Sequence, residues 1–172
     1  MAWLTGLWLL WASGAVWGQH SLRPPSTGVA PTVLGILSYV RWPADVNDVN
    51  LCIVGPSEHT DELLRAHATE IAPQRHVQVS RQPADKLPGH CHVAYLGVLD
   101  DAAWQPLLRR LGPQPLITIG ERREQCQAGG MFCLDVQPTS IAFEVNLDSL
   151  TRGGVRVHPN VLQLARRRAR TP

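Results

Sequence analysis

Residues 126–168 read CQAGGMFCLDVQPTSIAFEVNLDSLTRGGVRVHPNVLQLARRR, and the rest of the chain is understood outward from them. Cys126 and Cys133 stand seven positions apart around Gly129-Gly130, where glycine makes chain reversal easy. Ile141, Phe143 and Val145 alternate with Ala142, Glu144 and Asn146, the period of a half-buried strand. Met131–Val136 precedes it across a Gln137-Pro138-Thr139-Ser140 turn, so the two segments are expected to pair antiparallel. A short helix is expected over Leu147–Arg152, stopped by Gly153-Gly154, and a last helix from Pro159 to Arg168. The stretch holds no nucleophile–base pair and no phosphate loop. It reads as a binding surface built from an apolar strand edge, a disulfide-clipped loop and a helix that seals the fold.

Upstream, Val33, Leu34, Ile36, Leu37 and Val40 have helical spacing over 29–42, with Pro31 in the first turn and Trp42-Pro43 as the stop. Leu51–Val54 is a short apolar strand ended by Gly55-Pro56. A helix is expected over Glu58–Ile71, with Ser57 as N-cap and Leu63, Leu64, Ala68 and Ile71 inward. His76–Arg81 alternates with Val77 and Val79 inward, Pro83–Gly89 is a loop, and His90–Gly97 is the next strand. Asp100 or Asp101 caps a helix to Leu111 that carries Trp104, Leu107 and Leu108; Pro115–Ile119 is a strand closed by Gly120. Residues 121–130 are expected to be an exposed loop. The order predicts a single α/β domain over 29–170, with a mixed central sheet and helices on both faces.

An apolar share of 44% is enough for a core, and a net charge of +2 is too small to imply nucleic acid. Residues 1–18, MAWLTGLWLLWASGAVWG, are apolar but short for a membrane span, with Val16 and Gly18 where a signal peptidase would read. A secretory signal peptide is expected over 1–18 and a mobile Ser/Pro/Gly-rich leader over 19–28. Export accounts for four cysteines, because disulfides persist outside the cytosol. Of the three possible pairings, Cys52–Cys91 and Cys126–Cys133 are favoured. The first joins two predicted strands near their starts; the second closes a loop over two glycines. In the chain-entropy model the long loop contributes roughly 4 kcal/mol and the short one roughly 2.5 kcal/mol.

Other chemistries are weighed against this reading. His90-Cys91-His92 with Cys52 suggests a metal site, but alternate strand residues would put both histidines on one face and Cys91 on the other. Cys91 beside His90 or His92 could serve a thiol enzyme, yet no orienting group or oxyanion turn can be placed. Asp100-Asp101 fits a helix cap better than a paired-carboxylate site. Trp42 and Trp104 could line a pocket, though each is more often core. Arg166-Arg167-Arg168-Ala169-Arg170 could meet an anionic surface, or simply complement a helix dipole. No metal, cofactor or catalytic residue is assigned. A periplasmic small-ligand or peptidoglycan-binding module is the alternative to a protein-binding role.

Particular residues also resemble a known family. They are Gly35–Pro43 (GILSYVRWP), Leu51-Cys52-Ile53, Glu124-Gln125-Cys126, Phe132-Cys133-Leu134, Phe143–Val155 (FEVNLDSLTRGGV) and Pro159–Arg166 (PNVLQLAR). In these the chain resembles the YfiR family of small periplasmic repressors, across nearly all of 19–172. The resemblance implies a non-catalytic regulator that binds the periplasmic portion of an inner-membrane diguanylate cyclase, YfiN, and lowers cyclic di-GMP. It implies release by an outer-membrane lipoprotein, YfiB, as well as a homodimer and disulfides in the two favoured pairings. It maps cyclase binding to Phe132, Glu144 and Leu150. On that mapping Phe132 and Leu150 are expected to form a partly exposed apolar patch, with Glu144 giving orientation.

Overall fold

The computed structural model describes residues 28–87, 89–111 and 114–169. The signal peptide expected over 1–18 and the leader over 19–28, apart from Gly28, lie outside the described residues, as do 170–172. In chain order the strands are β1 (Asp48–Val54), β2 (Thr69–Ala72), β3 (Arg75–Gln82), β4 (Val93–Leu96), β5 (Ile117–Gly120), β6 (Phe132–Val136) and β7 (Ile141–Val145). The helices are α1 (Val29–Ser38), α2 (Thr60–Arg65), α3 (Asp101–Leu111), α4 (Glu124–Gln127), α5 (Leu147–Arg152) and α6 (Val161–Ala169).

The strands form one seven-stranded sheet in the order β2-β3-β1-β4-β5-β6-β7. β3-β1-β4-β5-β6 is parallel throughout, while β2 on β3 and β7 on β6 are antiparallel. The composition follows this layout. Parallel strands are covered on both faces, so β4 and β5 are buried at every position. β7 alternates instead, with Ile141 and Phe143 buried and Glu144 exposed.

Helices cover both faces, as the element order implies. Leu51, Ile53, Tyr95, Ile119, Phe132 and Phe143 look one way, toward Val33, Ile36 and Leu37 of α1, Leu63 of α2 and Val161 of α6. Cys52, Val54, Ala94 and Leu96 look the other way, toward Trp104, Leu107 and Leu111 of α3. Burying each such Leu, Ile or Val contributes about 1.5–3 kcal/mol, so these two layers dominate the fold. Asp100 caps α3, its Oδ1 accepting from the Ala103 N–H at 2.7 Å. The Asp100-Asp101 pair is therefore placed at a helix start.

Four expectations are corrected. The helix over 58–71 does not persist: α2 ends at Arg65, Ala68 takes φ 62°, and Thr69–Ala72 becomes edge strand β2. The apolar spacing of Leu64, Ala68 and Ile71 fits a helix, but β3 offers an open edge. Ala68 donates to Val77 O at 2.8 Å, and the Val79 N–H is taken by His67 Nδ1 at 3.0 Å. Helix α1 stops at Ser38 rather than Trp42, because residues 39–42 turn to meet 156–158. Arg41 N donates to Arg156 O at 2.9 Å and His158 N to Tyr39 O at 2.8 Å. The strand expected from His90 begins at Val93, so the opposite-face reading of His90-Cys91-His92 does not apply.

Last, 121–130 is no exposed loop: it contains α4, with Glu121, Gln125 and Cys126 buried. Gln125 fastens it, Nε2 donating to Gly97 O at 3.0 Å and Oε1 accepting from the Arg122 N–H at 2.9 Å. That amide packs onto Gly120, where a Cβ would lie 2.5 Å from Gln125 Oε1.

Candidate partner-binding surface

Residues 124–152 fold as one unit: α4, the β6–β7 hairpin and α5. The hairpin register sets its geometry, pairing Phe132 with Val145, Cys133 with Glu144 and Leu134 with Phe143. Cys133 and Glu144 therefore share a sheet face, opposite the face that buries Phe132 and Phe143. On this face Cys133 is disulfide-bonded to Cys126 of α4, Cα to Cα 5.6 Å. Cys52 and Cys91 form the second disulfide, Cα to Cα 6.0 Å, beneath α3.

The three residues expected to bind a partner are placed very differently. Glu144 is 45% exposed and ion-paired with Arg123, whose Nε donates to Oε1 at 2.6 Å. That hydrogen bond raises the Arg123 pKa, and the charge on Glu144 adds to the effect. Phe132 is fully buried, its ring centroid 6.3 Å from that of Phe143. Leu150 is 7% exposed. The apolar patch expected at Phe132 and Leu150 is thus core, because both side chains point into the layer shared with α1 and α6. The exposed apolar group is Leu147, in the first turn of α5, at 59%. Among the described residues only Leu147 and Val98 are large, apolar and exposed.

Asn146 joins the parts. As N-cap of α5 its Oδ1 accepts from the Ser149 N–H at 3.0 Å, and its Nδ2 donates to Cys126 O at 2.9 Å. Its backbone N–H donates to Met131 O at 2.8 Å. One side chain thereby ties the disulfide-bearing helix to the helix that presents Leu147. Reading Asn146 only as the polar partner in a strand alternation misses this, although asparagine just before a helix is a recognised cap signal. Arg123, Gln125 and Leu147 carried no comparable local signal.

The rival chemistries can be placed as well. The Cys91 sulfur is bonded to Cys52, so it offers no thiolate for catalysis or zinc. His90 is exposed; His92 Nδ1 accepts from the Asn50 N–H at 2.9 Å, and burial first, then His90, lowers its pKa. Among the described residues no three His, Cys, Asp or Glu side chains converge as metal ligands. Trp104 is core. Trp42 lines a cleft of about 650 Å³ with Val46, His92 and Leu116. Of the basic tail, Arg166 is exposed, and the side chains beyond it lie outside the described residues. No described helix is long and apolar enough to cross a membrane.

A family model described as YfiR/HmsC-like matches residues 28–166, nearly the whole of the described fold and all of the α4–α5 unit. The chain belongs to the YfiR/HmsC-like family.

Proposed function

We propose that this protein is a periplasmic repressor that docks on the periplasmic part of a YfiN-like inner-membrane diguanylate cyclase. Membership of the YfiR/HmsC-like family supports a periplasmic regulator of a diguanylate cyclase system, and two disulfides agree with an oxidising compartment. The observation that carries the docking reading is the position of Leu147. It is an exposed leucine three residues on from Glu144, on a frame held by a disulfide and by Asn146.

Leu147 supplies the apolar contact and Glu144 the orientation, a common division of labour at interfaces. Phe132 and Leu150 contribute from below, fixing the strand and helix that present these groups. Repression follows from a coupled equilibrium: docking favours the inactive arrangement of the cyclase by the difference in affinity for its two states. A YfiB-like outer-membrane lipoprotein that takes the repressor away restores synthesis, and reduction of Cys126–Cys133 loosens the same frame. The repressor acts as a homodimer, without catalysis.

Substitution tests the surface directly. Leu147→Asp should leave thermal unfolding unchanged, as exposed positions do, while co-purification with the cyclase's periplasmic part falls at least tenfold and cellular cyclic di-GMP rises. Undiminished capture by Leu147→Asp combined with Glu144→Ala would remove this surface from consideration.

A further inference from the structure

We propose that a cavity between α3 and the α4–α5 unit binds a short aliphatic monocarboxylate, whose headgroup is received at the mouth by Arg109. The cavity measures about 310 Å³, the lower end of the range for small-molecule sites, so it suits a short guest. It is bordered by α3, by the Ala128-Gly129 bend after α4, and by α5 with Gly153. Two glycines set its shape. Gly129 takes φ 106° and brings the bend close to α3, where a Cβ would lie 3.4 Å from Leu108 Cδ1. A Cβ at Gly153 would collide with Met131 Cε, so the thioether occupies that space instead.

The interior suits hydrocarbon. Leu108, Leu111, Leu116, Ala128 and Met131 supply its apolar surface. Its two hydroxyls belong to Thr118 and Ser149, both buried and both engaged. Thr118 Oγ1 accepts from the Met131 N–H at 2.9 Å, and Ser149 Oγ accepts from Arg152 Nη2 at 3.3 Å. A polar stem would therefore lose water without an equivalent set of partners. No aromatic side chain is among the described residues that line the cavity, so a planar ring has nothing to stack on. Leucines and a flexible methionine adapt to an aliphatic chain instead.

The mouth carries charge of one sign. Arg109 and Arg152 line the cavity, and among the described residues no carboxylate does. Arg152 is ion-paired with Asp148 on its own helix. Arg109 is exposed and forms no ion pair among the described residues. One uncompensated guanidinium matches a monoanion, and its planar fork fits the two oxygens of a carboxylate. A phosphate dianion would need both arginines, one of which Asp148 holds. The apolar interior and the cationic mouth thus select the two ends of one molecule.

The test is calorimetric titration of the purified protein with sodium octanoate, alongside octanamide and octylamine. Saturable binding of the carboxylate is expected, with neither the neutral amide nor the amine reproducing it. Arg109→Gln should weaken octanoate binding at least fivefold and leave the unfolding temperature unchanged, because the side chain is exposed. Ala128→Leu, which fills the cavity, should weaken it more than tenfold. If Ala128→Leu does not fold, Leu108→Phe on the half-buried wall takes its place with the same expectation. Absence of octanoate binding, equal binding of the amide or the amine, or full affinity in Arg109→Gln or in the filled variant that folds would overturn the assignment.

Discussion

The two disulfides lie on the same face of the sheet yet do different work. Cys52–Cys91 links β1 to the residue pair just before β4, strands already joined in parallel register from Leu51–Val93 to Val54–Leu96. Its neighbours are the wholly apolar layer under α3. Cys126–Cys133 links β6 to a four-residue helix that has no long apolar face. The first crosslink closes a long loop around structure that the sheet also specifies. The second holds a short element whose place would otherwise rest on Gln125, Asn146 and the Arg123–Glu144 pair. A disulfide in the core thus serves mainly stability, and one beneath a surface serves mainly shape.

This contrast can be broken in order of size. Replacing Cys52 and Cys91 together by alanine should lower unfolding free energy by about 4 kcal/mol in urea titration, while the fraction that stays folded still captures the cyclase. A loss below that seen on removing the other disulfide would reverse the assignment. Leu150→Ala should cost about 3 kcal/mol by the same measurement, the range for a leucine truncated in a core, and would reduce capture only through unfolding. A charged residue at Leu150 is expected to unfold the domain rather than act as a clean surface change, since the side chain is 7% exposed.

Removing Cys126 and Cys133 should cost only about 2.5 kcal/mol, yet weaken repression more than the larger loss at Cys52–Cys91 does. Full repression by the Cys126→Ala, Cys133→Ala protein would show that the hydrogen bonds alone hold the surface. The smallest effect concerns pH. His92, next to Cys91, has its pKa lowered from 6.5 by burial, so the folded state binds this proton less readily than the unfolded chain. Stability from this group is therefore fully present above 6.5 and is lost as pH falls through and below that value. Unfolding midpoints measured between pH 7.5 and 5 should show this decline reduced in His92→Gln; an unchanged slope would assign the dependence elsewhere.

Much of the fold was legible because its signals are local. The hairpin of β6 and β7 follows from alternation and a turn, and the end of α5 from two glycines. The two cysteine pairs followed from where predicted strands begin and where glycines let the chain turn. The helix expected over 58–71 failed because apolar spacing cannot tell a helix face from a short edge strand. The open edge of β3, and His67 capping the Val79 N–H, decided between them. The candidate surface was half legible. Leu147 and Leu150, three apart on one helix, would be expected on the same side. One is 59% exposed and the other 7%.

By itself, the sequence determined the class of fold and the sulfur pairings. Hydrophobic period, turn residues and cysteine spacing report on neighbours along the chain, and those neighbours suffice for such features. Only the tertiary structure decided which groups of the α4–α5 unit reach solvent. Exposure depends on what packs from elsewhere: Phe132 and Leu150 share one core layer with residues of α1 and α6. No pattern within a few residues encodes those contacts.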